Sequence, residues 1–578
     1  MPAKEREDMS GQYAQDHMHQ DQHPLRRTTL ICATPSGIEC RSEEDGAPTP
    51  LTPSSASQVL CAGSGRISSL AGLEGLLETE ALIGDILDKY IEIEEERLQR
   101  IKRYVNGKKR SSPKILPNLS DSGVSPIDAF VFVKRSVVDA DSVISLMREN
   151  KAPELLAELP QKAAFPSEGD MEGAAIALMR LQDTYDLKVE DMAQGKLADF
   201  PQIEPLTSDD CFNVGYVAFY KKDYYHALPW LIEAEAKMYE EDPSTTVQTF
   251  SPAMVYDYLA YSMHSQNNPE WAVWYSRNLR DADPSHPSVD HLEIYEHVLL
   301  DTNSTWNGEQ DSLPAYVNER NMDEVYLDYE ALCRGEQLTP VWEKNHLRCY
   351  FKMDKPFLKL APIKVEKLYT NPDVFLFRDV VSDKEISGLK QLAGPKLRRA
   401  LVVNDQKEAY EDDEDVNIPA PFRVAQNAWF ADEEDELVER ISRRVADFTN
   451  LDLESAEGLQ IANYGLGGHY EPHYDMSTDE TQFQAHDREH GDRVATVLFY
   501  LSQPEGGGAT IFELLDVAVF PSKNDALFWH NLHNSGRPDM DTRHAACPVL
   551  YGTKWVANKW IHEAGQEFVR PCGLTMKK

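Results

Sequence analysis

The stretch Gly467-Gly468-His469-Tyr470-Glu471-Pro472-His473-Tyr474-Asp475 follows Leu459-Gln460-Ile461-Ala462-Asn463-Tyr464, a strand-like run ended by glycines. Side chains alternate faces along a strand, so His473 and Asp475 project on one side with Cα atoms about 6–7 Å apart and can reach one ion. Two other His-x-Asp triplets occur, His19-Gln20-Asp21 and His490-Gly491-Asp492. The first lies in a polar N-terminal tail and the second in the turn-like run HDREHGDR, and neither context holds a ligand rigidly. A facial site needs one more histidine from another strand. His530, His533, His544 and His562 are candidates, and His544 is followed ten residues later by the basic Lys554. Two histidines and one carboxylate leave positions open for a bidentate 2-oxo acid and O2 on Fe(II), with Lys554 available as the cation for a distal carboxylate. Zinc also accepts this donor set, which keeps a hydrolase as the chemical alternative.

Around this stretch, from about residue 350, the chain reads as short alternating runs, DVFLFRDVV, RVATVLFYLS, GATIFEL, DALFWH and KWVANKWIHE. Period-two patterning over many short segments predicts antiparallel strands in a sandwich or barrel. Upstream the period changes. Residues 68–103 carry Leu73, Leu76, Leu77, Ile83, Leu87, Tyr90, Ile91, Leu98 and Ile101 at helical spacing, predicting a long amphipathic helix for a subunit or intradomain contact. Helical patterns continue over 125–198, interrupted by Pro160, Pro166 and Gly169. Over 208–300, Ala227, Leu231 and Ala234, then Ala272 and Leu279, suggest tetratricopeptide-like helix pairs, although the copies lie 45 residues apart (Ala227 to Ala272) where about 34 is usual. Tyr258 and Tyr261 fall on one helix face; such aromatics fill helix contacts or line a groove for a polyproline II peptide.

The chain has 578 residues, too many for one core and enough for roughly three or four domains. Its formal charge of −39 argues against a nucleic-acid partner, since phosphate binding requires clustered cations. The acidic runs Tyr410–Asp415 and Asp432–Glu436 read as solvated loops, with a basic or neutral partner as the alternative. No apolar run is long enough to predict a transmembrane helix. Residues 1–66, rich in Ser, Thr, Pro, Gly and His, read as disordered, and without a secretory apolar core this N-terminus reads as cytosolic. The eight cysteines form no Cys-x-x-Cys pair; Cys333 with Cys349 and Cys547 with Cys572 close modest loops in an oxidising compartment, and free buried thiols are the alternative.

The runs NYGLGGHYEPHYD, DRVATVLFYLS, GGGATIFE, TRHAACPVL and GTKWVANKWIHEAGQEFVRPC, with FRVAQNAWF, DCFNVGYVAFYKKDYYHA and RLQDTYDL upstream, resemble the collagen prolyl 4-hydroxylase alpha subunit over roughly residues 70–575. The resemblance implies a multi-domain α+β chain: a disordered tail (1–66), a helical dimerisation domain (67–200), a tetratricopeptide-like peptide-binding domain (201–310), a linker (311–350), and a double-stranded β-helix, or jelly-roll, dioxygenase domain (351–578). It implies Fe(II) on His473, Asp475 and His544, with Lys554 pairing the C5 carboxylate of 2-oxoglutarate beside Tyr464 and Thr510. Tyr470 and Arg493 match positions that line the target proline. His562 matches a histidine that aids binding or decarboxylation of the oxo acid. Taken singly, these residues also read as a surface cation, a core aromatic and a structural histidine. Tyr258 and Tyr261 would bind peptide, although His264 stands where a further tyrosine is expected.

The implied activity is C4 hydroxylation of proline in collagen-like X-Pro-Gly repeats, with O2 and 2-oxoglutarate giving succinate and CO2, and L-ascorbate as a further cofactor. The resemblance further implies disulfides Cys333–Cys349 and Cys547–Cys572, an α2β2 assembly with protein disulfide isomerase as beta subunit, and the endoplasmic reticulum lumen, which suits the sequons at Asn118 and Asn303. The alternatives are a dioxygenase acting on another prolyl or a lysyl protein substrate, and a non-catalytic peptide-binding subunit.

Overall fold

A computed structural model describes residues 70–115, 125–157, 166–242, 246, 248–302, 317–318, 324–403, 417–419, 423–465, 467–478 and 489–573. The N-terminal tail, both sequons and the acidic run at 410–415 lie outside them. Among the described residues no helix is long and apolar enough to cross a membrane.

The helical half begins with α1 (Leu70–Ile115), extending the predicted helix, and three shorter helices, α2 (Pro126–Lys134), α3 (Ala140–Arg148) and α4 (Ala152–Leu156). Next come α5 (Glu168–Tyr185) and α6 (Val189–Ala193). Gly169, expected to interrupt a helix, lies in the first turn of α5, where the reciprocal Ser167–Asp170 capping box starts the helix. Five helices follow: α7 (Ser208–Tyr220), α8 (Tyr224–Glu240), α9 (Pro252–Ser265), α10 (Pro269–Ala282) and α11 (His291–Asp301). The small residues that suggested repeats are buried, with Ala227, Ala234 and Ala272 at helix contacts. Gly215 in α7 lets α8 approach closely, since a Cβ there would stand 2.7 Å from Leu231 Cγ.

His226 in α8 ties this array to α5. Its ring nitrogens lie 2.8 Å from the Asp223 carboxylate and 3.0 Å from that of Asp183. Burial disfavours the imidazolium, but the two carboxylates outweigh it and push His226 up to about 9. A raised histidine stabilises fully below its unfolded value near 6.5, and the gain is lost as pH rises through about 9. His226→Gln is therefore expected to destabilise the protein by roughly 3 kcal/mol near pH 6 and far less near pH 10, measured by urea denaturation across that range.

After α12 (Glu324–Cys333) and α13 (Val341–Lys344) come β1 (Cys349–Lys352), β2 (Ile363–Thr370), β3 (Asp373–Arg378), α14 (Asp383–Ala393), β4 (Arg398–Arg399), β5 (Leu401–Val403), β6 (Asn417–Pro419), β7 (Gln426–Phe430) and α15 (Glu436–Thr449). The remainder is β8 (Leu459–Tyr464), β9 (Tyr470–His473), β10 (Arg493–Tyr500), β11 (Gly506–Gly507), β12 (Thr510–Phe512), β13 (Val517–Val519), β14 (Ala526–His530), β15 (His544–Ala546), β16 (Val549–Tyr551) and β17 (Lys554–His562). The large sheet has the order β1-β2-β3-β14-β10-β17-β8-β7-β4, and a smaller sheet has β13-β12-β15-β9. Alternation sorts the faces. Leu527, Trp529, Val556 and Tyr500 join a core shared with β12 and β13, whereas Ala526, Phe528, Ala557 and Phe499 pack toward α14 and α15. The result is the jelly-roll architecture expected for the C-terminal half, preceded by helical domains.

Two expectations are corrected. Cys333 is bonded to Cys547, with Cα atoms 5.6 Å apart, while Cys349 and Cys572 are exposed and without a disulfide. Short loops suggested sequence neighbours, but α12 packs its C-terminal end beside β12 and β15 and brings Cys333 to a cysteine 214 residues away. The run Asp432–Glu436 is not merely solvated. Asp432 pairs with the buried Lys559 at 2.9 Å, Glu434 with Lys396 at 2.7 Å, and the Asp435 side chain caps α15.

Candidate active site

Strand register assembles the centre. In the small sheet His544 of β15 stands directly opposite His473 of β9. The strand ends at His473 and the chain bends, so Asp475 lies past β9 and not within it. The bend aims its carboxylate between the imidazoles, 3.6 Å from His473 Nε2 and 3.6 Å from His544 Nε2. Among the described residues, one ligand atom from each of His473, Asp475 and His544 falls within 4.8 Å of the others.

The surroundings fit a metal. His473 Nδ1 lies 2.8 Å from the Glu471 carbonyl and His544 Nδ1 lies 3.0 Å from the Thr542 carbonyl. Each carbonyl takes the Nδ1 proton and leaves Nε2 as a lone-pair donor toward the centre, a tautomer choice that metal-binding histidines need. Burial pushes His544 down to about 4, against the pull of the Asp475 carboxylate. Asp475 is buried, which favours its acid form, yet the two adjacent histidines overcome this and hold it ionised well below the usual carboxylate range.

Thr496, unmarked in the sequence reading, donates to Asp475 Oδ2 at 2.7 Å and accepts from Asn531 Nδ2 at 3.0 Å. It sits in β10 with the parity of Leu498 and Tyr500, the residues that face the small sheet. A lone polar side chain in that face of RVATVLFY was the available signal. Thr496→Val is expected to lower metal affinity or turnover by about 10–100-fold, measured by metal titration and succinate formation, because it frees the carboxylate to rotate.

Lys554 begins β17 opposite Tyr464 of β8, and its Nζ stands 5.0 Å from that ring. The side chain is 1% exposed, and burial alone pushes its ammonium down to about 7. Thr510 of β12 accepts from the Tyr500 hydroxyl at 3.0 Å. One pocket is lined by all three metal-centre residues together with Tyr464, Tyr470, Thr510, Lys554, Arg423, Trp529, Asn558 and Trp560. Tyr470 stacks on the His473 ring with centroids 3.5 Å apart, and the Arg423 guanidinium lies 4.7 Å from its other neighbour, the Tyr470 ring centroid. Burial pushes both Tyr464 and Tyr470 up, against the pull of Arg423. Arg423, in the run FRVAQNAWF, carries no signal of this role in the sequence.

Arg493 and His562 are register partners of β10 and β17, and neither lines this pocket. His562 Nε2 meets Glu457 at 3.1 Å, and Arg493 donates to Glu457 Oε2 at 3.1 Å and to the Asp475 carbonyl at 3.1 Å. Burial raises the Glu457 carboxyl, but His562 and Arg493 outweigh it and hold it at about 2. The His490-Gly491-Asp492 triplet builds this support: the Gly491 carbonyl lies 2.6 Å from His562 Nδ1, and Asp492 accepts the Ser477 backbone N–H. The remaining histidine candidates stand elsewhere, His530 half-buried at the end of β14 and pushed down to about 3 by desolvation, His533 beside Asp539 at 3.3 Å.

In the helical half, Tyr258 and Tyr261 of α9 join an aromatic row. Ring centroids lie 4.6 Å apart for Phe219 with Tyr258, 5.8 Å for Tyr216 with Tyr258, and 5.8 Å for Tyr224 with Tyr261. Tyr220 and Tyr261 keep 61% and 41% exposure, so this row offers aromatic faces to solvent. His264 packs against Tyr295 instead, at 4.8 Å.

Residues 69–199 match the family model "Prolyl 4-Hydroxylase alpha-subunit, N-terminal region", 208–301 the "Prolyl 4-hydroxylase peptide-substrate-binding domain", and 459–562 the "2OG-Fe(II) oxygenase superfamily". The chain is 43% identical to prolyl 4-hydroxylase subunit alpha-2 of Caenorhabditis elegans, covering 88% of this chain and 93% of that protein. It is 36% identical to the human prolyl 4-hydroxylase subunit alpha-1, covering 88% and 96%. Among solved structures, the collagen prolyl hydroxylase of Paramecium Bursaria Chlorella virus-1 in its 2OG complex matches at 26% identity and TM-score 0.26, covering 33% of this chain and 95% of that one.

Proposed function

Because the chain belongs to the prolyl 4-hydroxylase alpha-subunit family, an Fe(II)- and 2-oxoglutarate-dependent enzyme family, we propose that it hydroxylates C4 of proline in collagen-like X-Pro-Gly repeats. The observation that carries the reading is Lys554. A buried ammonium whose ionisation is depressed by burial alone shares a pocket with a facial His473, Asp475, His544 set. A buried cation of this kind calls for an anion from outside, and the distal carboxylate of a 2-oxo acid meets it. Bound there, Fe(II) and the oxo acid supply O2 activation coupled to loss of CO2.

The protein's part is placement. His473 and His544 present Nε2, Thr496 fixes the Asp475 carboxylate, and Lys554, Tyr464 and Thr510 hold the oxo acid. Tyr470, against His473, faces the target proline, while Arg493 holds the Asp475 carbonyl directly and is itself held, with His562, by Glu457. L-Ascorbate is a further cofactor in this reading. Protein disulfide isomerase serves as beta subunit of an α2β2 assembly in the endoplasmic reticulum lumen, with glycans at Asn118 and Asn303.

Incubation of the enzyme with Fe(II), 2-oxoglutarate, O2 and (Pro-Pro-Gly)n should yield 4-hydroxyproline and succinate in equal amounts. Hydroxylation of a non-collagen peptide alone would sink the substrate assignment. Tyr261→Ala is expected to raise KM for long (Pro-Pro-Gly)n about three- to tenfold with kcat little changed, since losing one stacking ring costs about 0.5–1.5 kcal/mol of uniform binding.

A further inference from the structure

We propose that α5 is a coupler that fixes the aromatic peptide groove relative to the metal site, so that a proline-rich chain held in the groove is presented to the pocket. This rests on the reading of the groove given above.

Two opposite faces of α5 carry the argument. On one, Ala175 and Met179 enter the core of the peptide-binding helices, Gln182 accepts from the buried Trp230 indole N–H at 3.1 Å, and Asp183 meets His226 at 3.0 Å. On the other, Ala177 lies beneath Gly467, where a Cβ would come within 2.9 Å of the Ala177 Cβ. Gly467 also has φ +56°, so both space and conformation require glycine there. Arg180 reaches the Gly467 carbonyl at 3.4 Å, and the Tyr185 hydroxyl donates to the Pro548 carbonyl at 2.5 Å. Residues 175, 179, 182 and 183 share one helical face and 177 and 180 the opposite one, while Tyr185, in the last turn, reaches the catalytic side from between them.

The catalytic-side contacts fall at chosen points of the chain. Gly467 leads into β9, which carries His473, and Pro548 follows β15, which carries His544. The two ligand strands are neighbours in one sheet, so α5 buttresses the entry of one and the exit of the other. A helix spanning both contacts makes groove and pocket one rigid piece. Tethering a chain at one site raises its effective concentration at the second only when the separation is held.

The test compares kcat/KM for long (Pro-Pro-Gly)n and for a blocked Pro-Pro-Gly tripeptide in the assembled enzyme. Gln182→Ala and Asp183→Asn, which loosen the groove side, are expected to cut the long-over-short ratio by about tenfold or more while tripeptide turnover stays within about twofold. Arg180→Ala, which is only half-buried and tolerates truncation, is expected to lower kcat for both lengths by about tenfold, because small displacements at a reacting centre are costly. A ratio unchanged in both groove-side variants, with Tyr261→Ala still lowering it, overturns the coupling and leaves the groove reading intact. A ratio near one in the unaltered enzyme, or no response to Tyr261→Ala, overturns the groove reading and the coupling with it. Unchanged kcat in Arg180→Ala overturns the catalytic-side half.

Discussion

His544→Ala is expected to lower succinate formation by about a thousandfold or more, with the far-UV circular dichroism unchanged. The metal contributes several kcal/mol of charge stabilisation, and every 1.36 kcal/mol is tenfold in rate. His544 cannot be replaced from nearby. It faces His473 across the β9–β15 pair, its Nδ1 is fixed on the Thr542 carbonyl, and the next histidines stand in other places, His530 in β14 and His533 beside Asp539. Loss of the imidazole also leaves the buried Asp475 carboxylate with one histidine partner, so Fe(II) affinity measured by metal titration should fall with activity. His533→Ala is the control: that side chain keeps 36% exposure, and its removal should leave both quantities within about twofold. Full activity in His544→Ala would transfer the third ligand elsewhere and undo the site.

The ligand set was legible from its chemistry, although a bend after β9, and not the strand period, brings Asp475 beside His473. A His-x-Asp after a strand, a distant histidine and a lysine ten residues further satisfy one donor geometry, and only one of three identical triplets had that company. The second triplet turned out to be a scaffold, placing the Gly491 carbonyl against His562. What stayed hidden depends on pairing between distant segments. Glu457 sits in an unremarkable loop, and only the β10–β17 register, which sets Arg493 beside His562, gives it two side-chain partners. Thr496 looked like strand filler until β10 was placed over Asp475. The disulfides failed for the same reason. Loop length favours cysteines close in sequence, whereas helix α12 decides which thiols meet. In the helical half the small-residue spacing marked the repeats, but α5, which joins the two functional halves, carries no periodic signal that distinguishes its two faces.

Lys554 should show the second large effect. Lys554→Ala is expected to raise KM for 2-oxoglutarate about 30-fold or more, because truncating one partner of a buried charge pair costs about 2–5 kcal/mol. The pH dependence follows from its surroundings. Without ligand, burial holds the ammonium at about 7, far below the ordinary lysine value. An incoming carboxylate favours the charged form and raises that value, so binding above about pH 7 takes up a proton and affinity falls by up to about tenfold per pH unit. Lys554→Arg keeps its charge throughout, so the weakening above neutrality should vanish in that variant even if its longer fork fits less well. The same depression sets the sign for folding. An unfolded lysine holds its proton up to about 10.4, so the ligand-free protein gains stability as pH rises from about 7 toward 10. Lys554→Met should therefore be more stable than the parent without ligand, by roughly 1–4 kcal/mol near neutral pH, and should gain nothing when 2-oxoglutarate is added. A variant that melts higher yet no longer responds to the oxo acid would show that this buried charge is kept for binding, at the expense of the fold.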